Sequence, residues 1–214
     1  MNRRKIIGIL VISFILLLIA GVVIWLSVFG LPWGFARDIP ENEARLRLSF
    51  VAKAEQWIGK NAADGSHHEI VDLYNAHEPL AQNYKVLYTD KWCATFVSAT
   101  AIACNLTEII PTECGCERQI ALFKQLGRWE ENDAYIPLPG DIIYYSSSDS
   151  FAGDCTDWAD HVGIVVGTFG TYIKVIEGNV MNQVAYRYIP VNAMTIRGFA
   201  LPDFASITNK TPME

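Results

Sequence analysis

No charged residue occurs between Lys5 and Arg37, and no cysteine occurs before Cys93. The first absence excludes a water-exposed globular surface over that stretch, because Ile6 to Phe29 is mostly Ile, Leu, Val and Phe. At about 1.5 Å rise per residue such a run is long enough to cross a hydrocarbon core of roughly 30 Å. The second absence excludes a lipobox. The exit through Ser27, Val28, Phe29, Gly30, Leu31, Pro32 and Trp33 also lacks a small-x-small cleavage pattern, so the run reads as an uncleaved anchor rather than a signal peptide. Arg3, Arg4 and Lys5 precede it, which keeps the N-terminus cytoplasmic and places the rest of the chain outside the membrane, with Trp25 and Trp33 suited to the interface.

Basic residues are scarce elsewhere. Apart from those three, the chain carries 14 Lys and Arg against 23 Asp and Glu. That balance excludes a general affinity for nucleic acid or anionic lipid. Internal repeats are absent. The Cys114-Gly115-Cys116 segment lacks zinc-knuckle spacing and neighbouring histidines, and Asp149, Asp154, Asp157 and Asp160 lack the spacing of an EF-hand loop. No metal and no cofactor is therefore expected, and the aspartates read as a solvated loop. Outside the membrane, Cys104, Cys114, Cys116 and Cys155 are expected to pair as two disulfides, leaving Cys93 as the odd thiol.

Four divisions follow: a basic stub and anchor over 1–36, a tether over 37–45, a folded domain over 46–205 and a tail over 206–214. The pattern turns helical from Glu41, with Leu46, Phe50, Val51, Ala54, Trp57 and Ile58 at three- and four-residue spacing before Gly59. Ser66 and Glu69 fit a capping box opening a second helix. A third helix is expected from Asp90 as N-cap towards Asn105, and a fourth over 117–126, closed by Gly127. The second half changes period. Strands are expected over 142–145, 161–166, 172–177, 184–188 and 196–201. Helices first and strands later indicate an α+β domain with a mostly antiparallel sheet.

Cys93 falls in the first turn of its helix, where unpaired N–H groups and the helix dipole favour a thiolate. Packing beside Trp92 and Phe96 is the competing role for its sulfur. His161 is the one histidine in the strand-rich half, whereas His67, His68 and His77 read as exposed polar residues. A hairpin turning about Gly167 to Gly170 sets His161 opposite Glu177, and Asn179 keeps the same face while the strand stays regular. A thiol at a helix N-terminus, an imidazole on a sheet and a third group to orient it are the parts of a cysteine-protease-like site.

KWCATFVS (91–98), PLPGDIIYY (137–145), DHVGIVV (160–166) and IEGN (176–179) together resemble the successive signatures of the CHAP family, the cysteine, histidine-dependent amidohydrolases/peptidases. The resemblance runs from about Trp57 to Pro202. It implies a papain-like fold and a cell-wall hydrolase acting on amide bonds of peptidoglycan peptides. It further implies Cys93 as nucleophile, His161 as general base, Glu177 as orienting acid with Asn179 in support, and the Cys93 backbone N–H as an oxyanion donor. A catalytically silent wall-binding domain and an acyltransferase are the alternatives.

The topology is testable by fusing alkaline phosphatase to the C-terminus. The fusion is expected to be active in intact cells, and an inactive one overturns the orientation.

Overall fold

The computed structural model describes residues 39–146 and 155–210, with residues 15, 18, 20 and 21 ahead of them. The stretch read as an anchor lies otherwise outside the described residues, and among those described no helix is long and apolar enough to cross a membrane. Four helices come first: α1 (Glu41–Glu55), α2 (His68–Asn75), α3 (Cys93–Ala103) and α4 (Cys116–Gln125). Then come β1 (Trp129–Glu130), β2 (Ile142–Tyr145), β3 (His161–Phe169), β4 (Tyr172–Val180), β5 (Gln183–Pro190) and β6 (Ile196–Ala200), with α5 (Phe204–Lys210) last. The strands form one sheet in the order β1-β6-β2-β3-β4-β5, and every pairing is antiparallel. The expected α+β architecture is what is found, compatible with a CHAP fold.

Helix α3 lies at the centre. Cys93 to Ala101 are all buried, and Ala94, Ala99 and Ala101 let it press closely against its neighbours. Gly178 of β4 marks the closest approach: a Cβ there would overlap Phe96 and come within 2.9 Å of the Trp92 ring. The main apolar cluster fills the space between the helices and one sheet face, with Phe50, Trp57, Ile70, Phe96, Ile110, Phe123, Ile164 and Phe204 among its members. A smaller cluster of Ile143, Val165, Ile173, Val175, Ile196 and Phe199 covers the other face. Central strand β2, whose four residues are all buried, contributes to both.

The Pro139-Gly140-Asp141 turn anchors α1. Arg47 donates from Nη1 to Asp141 Oδ1 at 2.9 Å and to the Pro139 carbonyl at 3.1 Å, and from Nε to Glu43 at 2.8 Å. Asp141 also accepts from the Leu138 N–H and the Tyr135 hydroxyl. Burial lifts the Asp141 carboxyl above its ordinary value even with the Arg47 charge drawing it down. Gly140, at φ +85°, carries the turn, and a Cβ there would stand 3.1 Å from the Phe204 ring.

Several local expectations give way to tertiary contacts. The Ser66/Glu69 capping box does not form: Ser66 Oγ accepts from the Asn61 N–H, while Glu69 binds Trp57 Nε1 at 2.9 Å and Lys60 Nζ at 2.7 Å. Asp90 does not cap α3, whose first residue is Cys93. It accepts instead from the Leu87 N–H and the Tyr84 hydroxyl, closing the preceding turn. His67 is not exposed but 2% accessible, donating from Nε2 to the Tyr88 carbonyl, and His68 and His77 are half-buried. No disulfide is formed: all five cysteines are free thiols.

Removing Asp141 leaves a guanidinium buried against Phe204 without its main counter-charge. Asp141→Ala is expected to lower the unfolding free energy by about 3 to 5 kcal/mol in urea titrations, the usual cost of breaking a buried pair. A loss below about 1 kcal/mol, the range of exposed pairs, contradicts this assignment.

Candidate active site

The site is assembled where α3, α4 and the start of β3 meet. Cys93 lies in the first turn of α3, as expected, but as its first residue, and is only 4% exposed. His161 opens β3, and its Nε2 lies 2.9 Å from Glu177 Oε2 on β4. With Nε2 engaged by the carboxylate, Nδ1 is the ring atom left for the thiol. Tyr145 stacks against the other side of the imidazole, with ring centroids 6.0 Å apart.

The hairpin that joins these residues is not the one expected. Phe169 pairs with Tyr172 across a tight turn at Gly170, and a bulge lies between Val165 and Gly167. Ile164 therefore pairs with Ile176, where a turn centred on 169 would pair it with Lys174. The difference is two residues, and an even shift preserves the face. Glu177 is set beside Gly163 rather than opposite His161, and reaches the imidazole diagonally. Gly163 is required there, since a Cβ would stand 2.7 Å from Glu177 Cγ.

Asn179 is not brought to the imidazole in the same way. Its φ is +61°, and the β4–β5 register shifts between Glu177 and Val180, so strand alternation no longer fixes its face. No hydrogen bond joins it to His161 among the described residues. Asp149 and Asp154 lie outside the described residues, and those described hold no cluster suited to a metal ion.

Two participants were not singled out from the sequence. Arg187 on β5 donates from Nε to both Glu177 oxygens, at 2.8 and 2.9 Å. A signal existed: an inward carboxylate needs a counter-charge, and Arg187 is the one basic residue of that strand. Cys116, the first residue of α4, lies with its sulfur 3.9 Å from that of Cys93. A cavity of about 110 Å³ opens beside this cluster, lined by Tyr145, Ser146, Asp160, His161, Arg187 and Thr195.

The electrostatics run in opposite directions on the two reactive groups. The Cys93 thiol is drawn well below its ordinary value, first by the hydrogen bond from Cys116, against burial, and then by contact with His161 and the Ala94 backbone. Burial pushes the imidazole down, but its interactions with Cys93 and Glu177 outweigh this and raise His161 from 6.5 to about 9. A low thiol and a high imidazole describe a thiolate–imidazolium pair, the charge state in which a thiol is most nucleophilic.

With that geometry established, the CHAP domain family matches residues 83–179, a segment that contains Cys93, Cys116, His161, Glu177 and Asn179 and stops short of Arg187. No curated protein and no solved structure matches the chain.

The Glu177 carboxylate favours the charged imidazole, so removing its charge lowers the ring's affinity for a proton. In NMR titrations the His161 ring is expected to change ionisation near pH 9, and Glu177→Gln, which also leaves Arg187 unopposed, is expected to move that midpoint down towards 6.5. An unmoved midpoint contradicts the coupling.

Proposed function

We propose that the protein is a cysteine-dependent peptidoglycan hydrolase, an amidase or endopeptidase that opens amide bonds of cell-wall peptides through a thioacyl-enzyme. The observation that carries this reading is the conjunction of Cys93 at a helix start with a His161–Glu177 pair, inside a segment matching the CHAP family. The body acts outside the cell, tethered by the apolar run over 6–29. The uncharged length of that run and the basic residues before it support this placement.

In this mechanism the Cys93 thiolate attacks the amide carbon. The developing oxyanion is met by N–H groups at the start of α3, the Cys93 backbone N–H among them, because these have no partner within the helix. The His161 imidazolium gives its proton to the departing amine, which leaves an acyl group on sulfur. The imidazole, now neutral, takes a proton from water, and the resulting attack on the thioester releases the acid and restores the thiolate. Glu177 holds the ring so that Nδ1 faces the reacting atoms, and Arg187 fixes Glu177. Asn179 enters the proposal as a polar neighbour of the pair, not as a partner of the ring.

The test is digestion of purified cell walls by the full chain, with released fragments identified by mass spectrometry. New amino and carboxyl ends in the peptide moiety are expected. Cys93→Ser is expected to cut the rate roughly 10³-fold or more with folding retained, and His161→Ala nearly as much, because members of such a unit do not contribute additively. Wall hydrolysis by Cys93→Ser at the parent rate would reduce the sulfur to packing and sink the mechanism.

A further inference from the structure

Two helices begin at the same place. Cys93 is the first residue of the eleven-residue α3 and Cys116 the first residue of the ten-residue α4, and their sulfurs are 3.9 Å apart. Each helix start carries unpaired backbone N–H groups and the positive end of a dipole, so a negative charge on this sulfur pair is favoured from two directions. Taking the reading of Cys93 as nucleophile, we propose that Cys116 is a positioning residue: its S–H donates to the Cys93 thiolate and holds that sulfur charged at the imidazole.

Which sulfur carries the charge is decided by their neighbours. His161 on β3 faces Cys93 and supplies a positive partner. The carboxylates of Asp160 and Glu117 act on Cys116, and together with the Cys93 thiolate and burial they keep its proton in place. The Tyr144 hydroxyl of β2, near both sulfurs, is buried, held neutral and donated to Gln119 Oε1 at 2.9 Å. Glu177 acts on the pair only through His161. Cys116 is therefore the donor and Cys93 the acceptor.

The contact is also built rather than incidental. Ser98 of α3 donates to the Glu113 carbonyl at 2.7 Å and accepts from the Glu113 N–H at 2.9 Å, which ties the segment before α4 to the middle of α3. Gln119 of α4 donates to the Pro111 carbonyl at 2.9 Å. These bonds tie α4, through the loop before it, to α3 and leave its first residue on the Cys93 sulfur. Cys104 and Cys114, by contrast, have thiols raised by burial and no part in the pair.

The test reads the ionisation of Cys93 directly and needs no wall substrate, so it succeeds or fails independently of the proposed hydrolysis. The full chain is alkylated with iodoacetamide across a range of pH, and the rate at Cys93 is followed by peptide mapping. Cys116→Ala and the volume-filling, donor-free Cys116→Val are expected to raise the Cys93 midpoint by about one unit, seen as a roughly tenfold slower labelling on the acid limb. Cys116→Ser keeps a donor and is expected to label nearer the parent rate. Equal labelling profiles for the parent, Ala and Val proteins would overturn the proposal. In the unaltered chain, diamide accepts two hydrogen atoms and is reduced to the hydrazine, and it should oxidise the touching thiols to a Cys93–Cys116 disulfide. Absence of that cross-linked peptide, with free Cys93 recovered, would equally overturn it.

Discussion

A carboxylate with no contact with water has to be neutralised by protein groups, and Glu177 is such a carboxylate, with an accessibility of 0%. Its two oxygens are taken up by Arg187 on one side and His161 on the other. Three adjacent strands are thereby tied together by one charged group, since His161, Glu177 and Arg187 stand on β3, β4 and β5 in turn. The same burial dictates the glycines. Gly163 makes room for the Glu177 side chain, and Gly178 lets β4 approach the helix that carries Cys93. Arg187 also fixes the carboxylate in place, donating from Nε to both of its oxygens while His161 meets one of them.

The second constraint is the convergence of two helix N-termini on two sulfurs. A buried thiolate in apolar surroundings is unfavourable, and α3 is buried along nearly its whole length. Backbone dipoles, the Cys116 thiol and the His161 charge offset that cost together, and none of them requires solvent. A nucleophile stabilised in this way is compatible with chemistry at a site whose floor is the protein core. The cavity that Tyr145, His161 and Arg187 help to line opens beside it.

Much of this was legible in the sequence because strand alternation is a parity rule. The expected hairpin misplaced Glu177 by two residues relative to His161, yet an even error leaves both side chains on one face, so the pair survived. Asn179 did not fare as well, because its inference required a regular strand and the chain turns left-handed at that residue. Arg187 escaped notice since its approach to Glu177 depends on the register between β4 and β5, which turn chemistry rather than composition decides. Cys116 was assigned to a disulfide on compartment alone; its contact with Cys93 crosses a loop held by Ser98, Glu113 and Gln119, and no local pattern reports it. Ser66 and Asp90 teach the same lesson on a smaller scale, because a cap is only one of the hydrogen bonds a polar side chain can make. The motifs that carry the CHAP resemblance lie within the matched segment 83–179, whereas the contacts around them had to come from the fold.

The proposed hydrolysis requires that an acyl group be carried by one particular sulfur, that of Cys93. The most direct measurement is acid-quenched mass spectrometry of the full chain mixed with a purified peptidoglycan stem peptide, followed by peptide mapping of any covalent adduct. An acyl adduct located on the Cys93 peptide, and absent after Cys93→Ser, is the predicted result. Release of cleaved stem peptide by a protein that never carries an adduct at Cys93, or that carries one at another residue, would contradict it.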